Sequence, residues 1–418
     1  MNIRRSAAAL AAVAAVAVIG APAAVAAGSS PSPSGAPTLP AGLYGSTDPK
    51  YDGVWRQSLA LLAQHTVGVR PAPRAVDWLT GQQCAGGAFA AFRADPSAAC
   101  DAKVAVDTNS TAVAVQALAA LGGHDAATGK AVSWLKSVQN KDGGWGYTPG
   151  GPSDTNSTSI VIGALAAAGE KPAAVVKDGK SPYDALLKFA LPCTGEGAGA
   201  FAYQPDKKGA LAANADATAA GVVAALGQGL AAEAGTGHAS ARCSDSGTAT
   251  PARAAANGAA YLAHALAATG HLTSALPGAE DQPDYGNTAD AVVALAAQGG
   301  AGQADKPLRW LERHATVWAR QSGPAAWAQL IFAAHATGTD PHDFGGTDLV
   351  KALDATGPKP VSDSASARPA QKDPDGEESS GGSGHTAAWI AGGAGAVVVV
   401  GAVVLVAVRR TGRTERQP

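Results

Sequence analysis

Two stretches of the chain share a pattern of polar and apolar positions that other stretches repeat more loosely. Residues 107–111 and 154–158 both read Asp-Thr-Asn-Ser-Thr, and an apolar run that ends at Gly follows each of them. Small polar side chains of this kind are typical helix N-caps, and Gly is a typical helix stop. Looser copies begin at Asn214 and Asn287. Because each run is apolar on nearly all sides, the pattern predicts helices that are buried all round.

A second kind of helix alternates with the first. In residues 130–139 the apolar positions fall at helical spacing and the lysines lie on the other face, which predicts an amphipathic helix with one wet side. The buried helices are predicted near residues 54–67, 109–121, 156–168, 215–232, 287–298 and 324–337. The amphipathic helices are predicted near residues 74–83, 130–139, 182–191, 252–268, 306–318 and 346–355.

This strict alternation predicts an all-α fold with two concentric helix layers, a six-hairpin (α/α)6 toroid over residues 49–357. An open solenoid is the alternative arrangement of the same hairpins. Closure is favoured because neither end of the array is distinctly polar, as the terminal repeats of an open array would be.

The two ends of the chain have compositions of their own. Residues 1–27 have a basic start, an apolar middle and Ala-x-Ala sites, which predicts a signal peptide, with an uncleaved anchor as the alternative. A flexible spacer is expected at 28–48 and a disordered stalk at 358–386. Residues 387–408 are uncharged and long enough to cross a bilayer, and the tail at 409–418 is basic. We therefore expect a single-pass cell-membrane protein with an extracellular N-terminal domain and a cytoplasmic tail.

Charge and cysteine content narrow the possible functions. Of 418 residues, 31 are basic and 33 acidic, so the net charge of −2 offers no electrostatic basis for binding nucleic acid. Four cysteines lie in the expected extracellular part, where disulfides persist. Pairing in sequence order, Cys84 with Cys100 and Cys193 with Cys243, is one of three possible connectivities. The sequence has no Cys-x-x-Cys or nearby His pattern, so no metal site is expected.

Gly-aromatic loops follow the amphipathic helices and carry a family resemblance. Gln83-x3-Gly87-x-Phe89 and Gln139-x3-Gly143-x-Trp145 resemble the Gln–Gly–Trp repeat of the terpenoid cyclase and protein prenyltransferase superfamily. The resemblance implies the toroid fold rather than an activity. The sequence has no Asp-x-Asp-Asp motif of squalene-type cyclases, no Asp-x-Cys zinc pair of prenyltransferases and no Cys-Gly-Glu-Gln of thioester domains. We therefore assign no catalytic residue and favour a non-enzymatic function.

The Asp-Thr starts of the buried helices also resemble repeats of the animal cobalamin carriers, intrinsic factor and transcobalamin. In that family, polar residues at such helix starts line a cup that holds the corrinoid, while capping alone is the alternative explanation. The resemblance implies ligand binding by Asp107, Thr108, Asn109, Asp154, Thr155, Asn156, Asn214, Asp216, Asn287, Thr288 and Asp290. The loop rings of Trp145, Tyr147 and Tyr203 would cover a flat ligand.

The resulting expectation is a membrane-anchored extracellular protein that captures a small organic ligand without requiring a cofactor. A cobalamin-like ligand is the first choice, and a membrane transporter or a separate lid protein is the expected partner. One alternative is a carbohydrate-active or terpenoid-cyclase-like enzyme that uses Asp107, Asp154, Asp216 and Asp290 as rim carboxylates. A structural surface adhesin is a further alternative.

Overall fold

The computed structural model describes residues 39–236, 242–246, 249–274 and 282–362. The predicted signal peptide, transmembrane helix and basic tail, with parts of the predicted spacer and stalk, lie outside these ranges. None of the helices within them is long and apolar enough to span a membrane.

The described residues contain twelve α-helices, in agreement with the predicted alternation. The odd-numbered helices are α1 (Gly53–Thr66), α3 (Thr108–Leu121), α5 (Thr155–Ala167), α7 (Ala215–Ala225), α9 (Tyr285–Ala297) and α11 (Pro324–Thr337). The even-numbered helices are α2 (Pro73–Gly81), α4 (Asp125–Ser137), α6 (Pro182–Leu187), α8 (Pro251–Leu266), α10 (Ala301–Ser322) and α12 (Leu349–Asp354). Two short antiparallel pairs join β1 (Phe89–Ala90) to β2 (Val106–Asp107), and β3 (Leu272–Thr273) to β4 (Pro283–Asp284).

The odd-numbered helices pack against one another in a continuous order. Helix α1 contacts α3, and the order continues through α5, α7 and α9 to α11, which contacts α1. Each even-numbered helix packs on the odd-numbered helix that precedes it in the chain. The buried side chains of all the odd-numbered helices belong to one hydrophobic cluster in which small residues, chiefly Ala, bring the helix backbones close together.

Several predicted boundaries are wrong, and the largest error concerns α7. The prediction extends this helix to residue 232, whereas it ends at Ala225, and Gly227 follows with a φ of 74°. Because left-handed backbone at Gly turns the chain out of a helix, residues 226–236 run as a non-helical strap instead. Helix α6 is also shorter than predicted, and α10 is longer.

Both disulfides predicted from sequence order are confirmed. Cys84 is bonded to Cys100 in the connection between α2 and α3, and Cys193 is bonded to Cys243 around α7. Two disulfides indicate that the chain folds in an oxidising environment.

Candidate functional site

The first polar residue is an N-cap at three of the four predicted helix starts. Asp107 Oδ1 accepts the Ser110 N–H at 2.6 Å, and Asp154 Oδ1 accepts the Ser157 N–H at 2.6 Å. Asn214 caps α7 in the same way, with its Oδ1 2.8 Å from the Ala217 nitrogen. Asp107 and Asp154 are only 4% and 0% exposed, and burial raises the pKa of both carboxyls. These three predicted ligand-binding residues therefore lie at the helix starts without lining a cavity.

The threonine four residues after each cap joins the helix to the preceding loop. Its Oγ1 accepts a backbone N–H from a loop residue, and the N···O distances are 2.9–3.1 Å. The pairs are Thr111 with Phe89, Thr158 with Trp145, Thr218 with Phe201, and Thr288 with Leu272. This role of the threonines was not predicted, although the spacing of cap and Thr is visible in the sequence.

The predicted N-cap of α9 is wrong. The predicted copy begins at Asn287, whereas the cap is Asp284, whose Oδ1 accepts the Asn287 N–H at 3.0 Å. Thr288 is therefore the equivalent of Thr111 and lies in a helix–loop contact. Asp284 was absent from the candidate set because the residues around it lack the Asp-Thr-Asn-Ser-Thr pattern.

Three further predicted residues are buried in packing. Thr108 and Thr155 are 1% and 0% exposed, and the Thr155 hydroxyl donates to the Ala202 carbonyl. The Trp145 ring is 1% exposed, and its Nε1–H donates to the Leu135 carbonyl at 2.7 Å. The loop ring of Trp145 thus fixes the loop to α4 and does not face the cavity described next.

A central cavity of about 410 Å³ lies among the odd-numbered helices. Asn109, Asn156 and Asp216 line it, and each comes two residues after its cap. Asn287 and Asp290 line it from α9. Apolar side chains complete the wall, chiefly Trp55, Leu59, Ile160, Val223, Val293 and Phe332. Positions two, five, six and nine residues after a cap share one helix face, so Asn109, Asn156, Asp216 and Asp290 converge by helical geometry.

The strap, residues 226–236, lines the cavity with Gln228, Gly229 and Leu230. The Leu230 N–H donates to Gln116 Oε1 at 2.9 Å, and Gln116 Nε2 donates to the Ile160 carbonyl at 3.1 Å. At Gly229 a Cβ atom would lie 2.4 Å from Gln116 Oε1, so a side chain there would displace the Gln116 amide. A second cavity of about 310 Å³, with a mostly apolar lining, shares Gln116 and Gly229 with the central one. The strap thus separates two chambers.

Two carboxyl groups dominate the electrostatics of the central cavity. Asp216 Oδ2 accepts the Asn156 Nδ2–H at 2.6 Å, and Asp290 accepts from Gln329 Nε2 at 3.1 Å. Burial raises the pKa of Asp216, and Asp284 adds to the effect. Burial, followed by the charge of Asp216, raises the pKa of Asp290 to about 7. Asp290 is partly exposed, and it lines the cavity.

The two predicted tyrosines lie outside the cavity. The Tyr147 and Tyr203 side chains are 51% and 43% exposed. Their backbone carbonyls accept the N–H groups of Thr108 and Thr155, at 2.9 Å and 3.0 Å, which holds them over the starts of α3 and α5. Burial is the main cause of the raised pKa of Tyr203, and nearby Asp154 and Asp216 add to it. These rings therefore lie next to the helix starts that lead into the cavity.

Comparisons with known proteins give little information about the function of the chain. No family model matches the chain, and no curated protein matches it. Among solved structures, the chain is similar to ent-copalyl diphosphate synthase from Streptomyces platensis, with 17% identity and a TM-score of 0.45 over 68% of this chain and 50% of that one. It is also similar to a protein from Actinoplanes, with 15% identity and a TM-score of 0.33 over 67% of this chain and 100% of that one.

The chain spans about half the length of the Streptomyces enzyme. At such identities and TM-scores, these likenesses concern the helical fold and carry no argument about ligand or activity. The resemblance to cobalamin carriers finds no support in the comparisons.

Proposed function

We propose that the helical domain is a closed α/α toroid of six hairpins that binds a small organic molecule in its central cavity. The contact between α11 and α1 supports closure, because the terminal hairpins of an open solenoid do not meet. The observation that carries the binding function is the convergence of Asn109, Asn156, Asp216 and Asp290 from four helices on one apolar-walled cavity. Convergent polar groups in an apolar pocket are the usual form of a small-molecule site.

The cavity volume favours a ligand smaller than a corrinoid. Ligand pockets range from about 300 to about 1,000 Å³, and a cavity of about 410 Å³ lies toward the lower end. A cobalamin-like ligand, the larger alternative, would have to rest across the mouth beside Tyr147 and Tyr203. In this proposal an anchored protein captures the ligand outside the membrane and works with a transporter or a separate lid protein. The two disulfides support an oxidising location such as the extracellular side.

A filled-cavity variant tests the binding function. Ala220 lines the cavity from α7, so Ala220→Leu places three added carbon atoms in it. Ala126→Leu, on the exposed side of α4, is the matched control. We expect a thermal-shift screen of small organic molecules, with cobalamin included, to find ligands whose affinity Ala220→Leu abolishes and Ala126→Leu leaves unchanged. Ligands that bind the Ala220→Leu variant as well as the wild type would refute the cavity as the site.

One observation favours acid catalysis as a second candidate function. A carboxyl with a pKa of about 7, such as Asp290, keeps its proton near neutral pH and can donate it to a substrate in the cavity. Of the four carboxylates predicted to act together, only Asp216 and Asp290 line the cavity. A glycan or terpenoid substrate that the wild type converts, and the Asp290→Asn variant does not, would establish an enzyme. If every bound ligand is recovered unaltered, binding remains the only proposed function.

A further inference from the structure

Several polar atoms of the residues that line the central cavity are buried hydrogen-bond acceptors without a donor. The Oδ1 atoms of Asn109 and Asn156 and the Oγ of Ser159 are buried and have no hydrogen-bond partner among the described residues. The orientation of the Asn156 amide is fixed because its Nδ2 donates to the Asp216 carboxylate, which only accepts. Its Oδ1 is therefore the free atom. Buried acceptors without a donor are costly, and a donor-bearing ligand would satisfy them.

Ser159 is the clearest of these orphan groups. Its side chain is 6% exposed, it lies five residues after the α5 cap, and it shares the cavity face with Asn156. A hydroxyl on a helix often donates to the carbonyl one turn earlier, but the Ser159 Oγ makes no such bond within the described part of the chain. The hydroxyl is thus available to a molecule in the cavity.

The charges of the cavity are all of one sign. Asp216 and Asp290 are its only charged lining residues, and no Lys, Arg or His is among the described residues that line it. Asp216 already accepts from Asn156, and Asp290 from Gln329, but both of these donors are neutral amides. Two buried carboxyls without a cation are mutually unfavourable, so a positively charged group between them would relieve the repulsion.

The rest of the wall suits the apolar body of such a ligand. Trp55 and Phe332 contribute aromatic rings, and Leu59, Val223 and Val293 contribute aliphatic surface. Aromatic rings attract cations as well as apolar groups, whereas an anion would meet two carboxyl groups and no cation among the described residues that line the cavity. A neutral polyol would satisfy the acceptors but would leave the carboxyl repulsion and the apolar wall unmatched.

From this arrangement we infer that the ligand of the central cavity is an amphipathic organic ammonium ion. Its ammonium group donates its three N–H groups to Asp216, to Asp290 and to one of the two free oxygens, Asn156 Oδ1 or Ser159 Oγ. Its apolar body packs against Trp55 and the aliphatic wall. This inference rests on the proposed binding function and adds the chemical class of the ligand.

A matched series of three indoles tests the inference by isothermal titration calorimetry on the full-length chain in detergent. Tryptamine carries an ammonium group, tryptophol carries a hydroxyl in its place, and indole-3-acetate carries a carboxylate. We expect tryptamine to bind at least about tenfold more tightly than tryptophol, and indole-3-acetate to bind most weakly. Asp216→Asn and Asp290→Asn keep the side-chain shape, so each should lower the affinity for tryptamine and leave that for tryptophol unchanged.

The possible failures of the two proposals are distinguishable. If tryptophol or indole-3-acetate binds as tightly as tryptamine, and Ala220→Leu removes that binding, the ammonium class is wrong and the binding function stands. If none of the three binds, the inference is overturned, and the broader screen decides on the binding function. If Ala220→Leu binds tryptamine as well as the wild type does, the site lies elsewhere and both proposals fail.

Discussion

The replacement of Asp290 by Asn is the most direct test of the electrostatics of the cavity. The carboxyl lines the cavity, and burial together with the charge of Asp216 raises its pKa from 3.8 to about 7. A difference of one pKa unit corresponds to about 1.4 kcal/mol, so ionised Asp290 destabilises the folded state by up to about 4 kcal/mol. Asn has the same shape and no charge, and it can still accept the hydrogen bond from Gln329.

The sign of the pH dependence follows from the direction of this shift. Because the pKa is higher in the folded chain, the folded state binds more protons than the unfolded state between about pH 4 and about pH 7. The contribution of Asp290 to stability is therefore fully present below pH 4 and is lost as the pH rises through 7. The Asn variant does not lose stability in this way. Its free energy of unfolding should therefore exceed that of the wild type by near zero at about pH 4 and by about 4 kcal/mol at about pH 8.

Urea unfolding of both proteins at a series of pH values, with the disulfides intact, measures this difference. Asp184→Asn is the control with the opposite sign, because hydrogen bonds from Ser181 lower the pKa of that exposed carboxyl. Asp184 therefore stabilises the folded state above the pKa of the unfolded chain, and its replacement should lower stability at neutral pH. A constant difference between wild type and Asp290→Asn, within about 0.5 kcal/mol at every pH, would refute the reasoning and show that Asp290 is solvated as on a surface.

Three further predictions concern the scaffold. Thr158→Val removes the acceptor of the buried backbone N–H of Trp145 and should lower the free energy of unfolding by about 1–3 kcal/mol, as measured by urea denaturation. Replacing Cys193 and Cys243 together by Ser opens a loop with a sequence separation of 50 and should cost about 4 kcal/mol, measured in the same assay. Gly229→Ala displaces the Gln116 amide from its hydrogen bonds and should cost about 1–3 kcal/mol, which differential scanning calorimetry would show as a lower melting temperature.

Each of these has a matched control. Thr158→Ser keeps the hydroxyl, so a loss equal to that of the Val variant would exclude the hydrogen bond as the cause. The shorter Cys84–Cys100 loop should contribute about 3 kcal/mol, and a larger effect than that of the longer loop would contradict the chain-entropy argument. Gly81 has open space around its Cα, so Gly81→Ala should be neutral or stabilising, and an equal loss there would point to a general effect of Gly replacement.

Much of the scaffold could be predicted because its signals are local. Capping residues, apolar runs and Gly stops lie next to each other in the chain, and they placed every helix, most of them within a few residues. The pairing of Cys84 with Cys100, and of Cys193 with Cys243, was one of three possible connectivities, and the structure confirms it. The errors at α7 and α9 arose where a local signal was ambiguous. The apolar residues after Ala225 continue the helical pattern, and Asp284 lacks the neighbours of the other caps.

The candidate site was predicted only as a set of helix starts. Asn109, Asn156, Asp216, Asn287 and Asp290 were in that set and do line the central cavity. Their neighbours of the same polar type cap the helices or pack against loops. The sequence did not indicate the mid-helix polar residues, Gln116, Ser159 and Gln329, nor the strap that lines the cavity.

The sequence by itself determined the number and order of the helices and most of their starts, because capping and backbone hydrogen bonds act over a few residues. Only the tertiary structure decided which side of each odd-numbered helix faces the cavity. Successive residues turn by about 100° around a helix axis, and a helix that is apolar on every side has no preferred face of its own. Its rotation is fixed by the helices packed against it, so neighbouring residues of one polar start, such as Asp154, Thr155 and Asn156, come to have different roles.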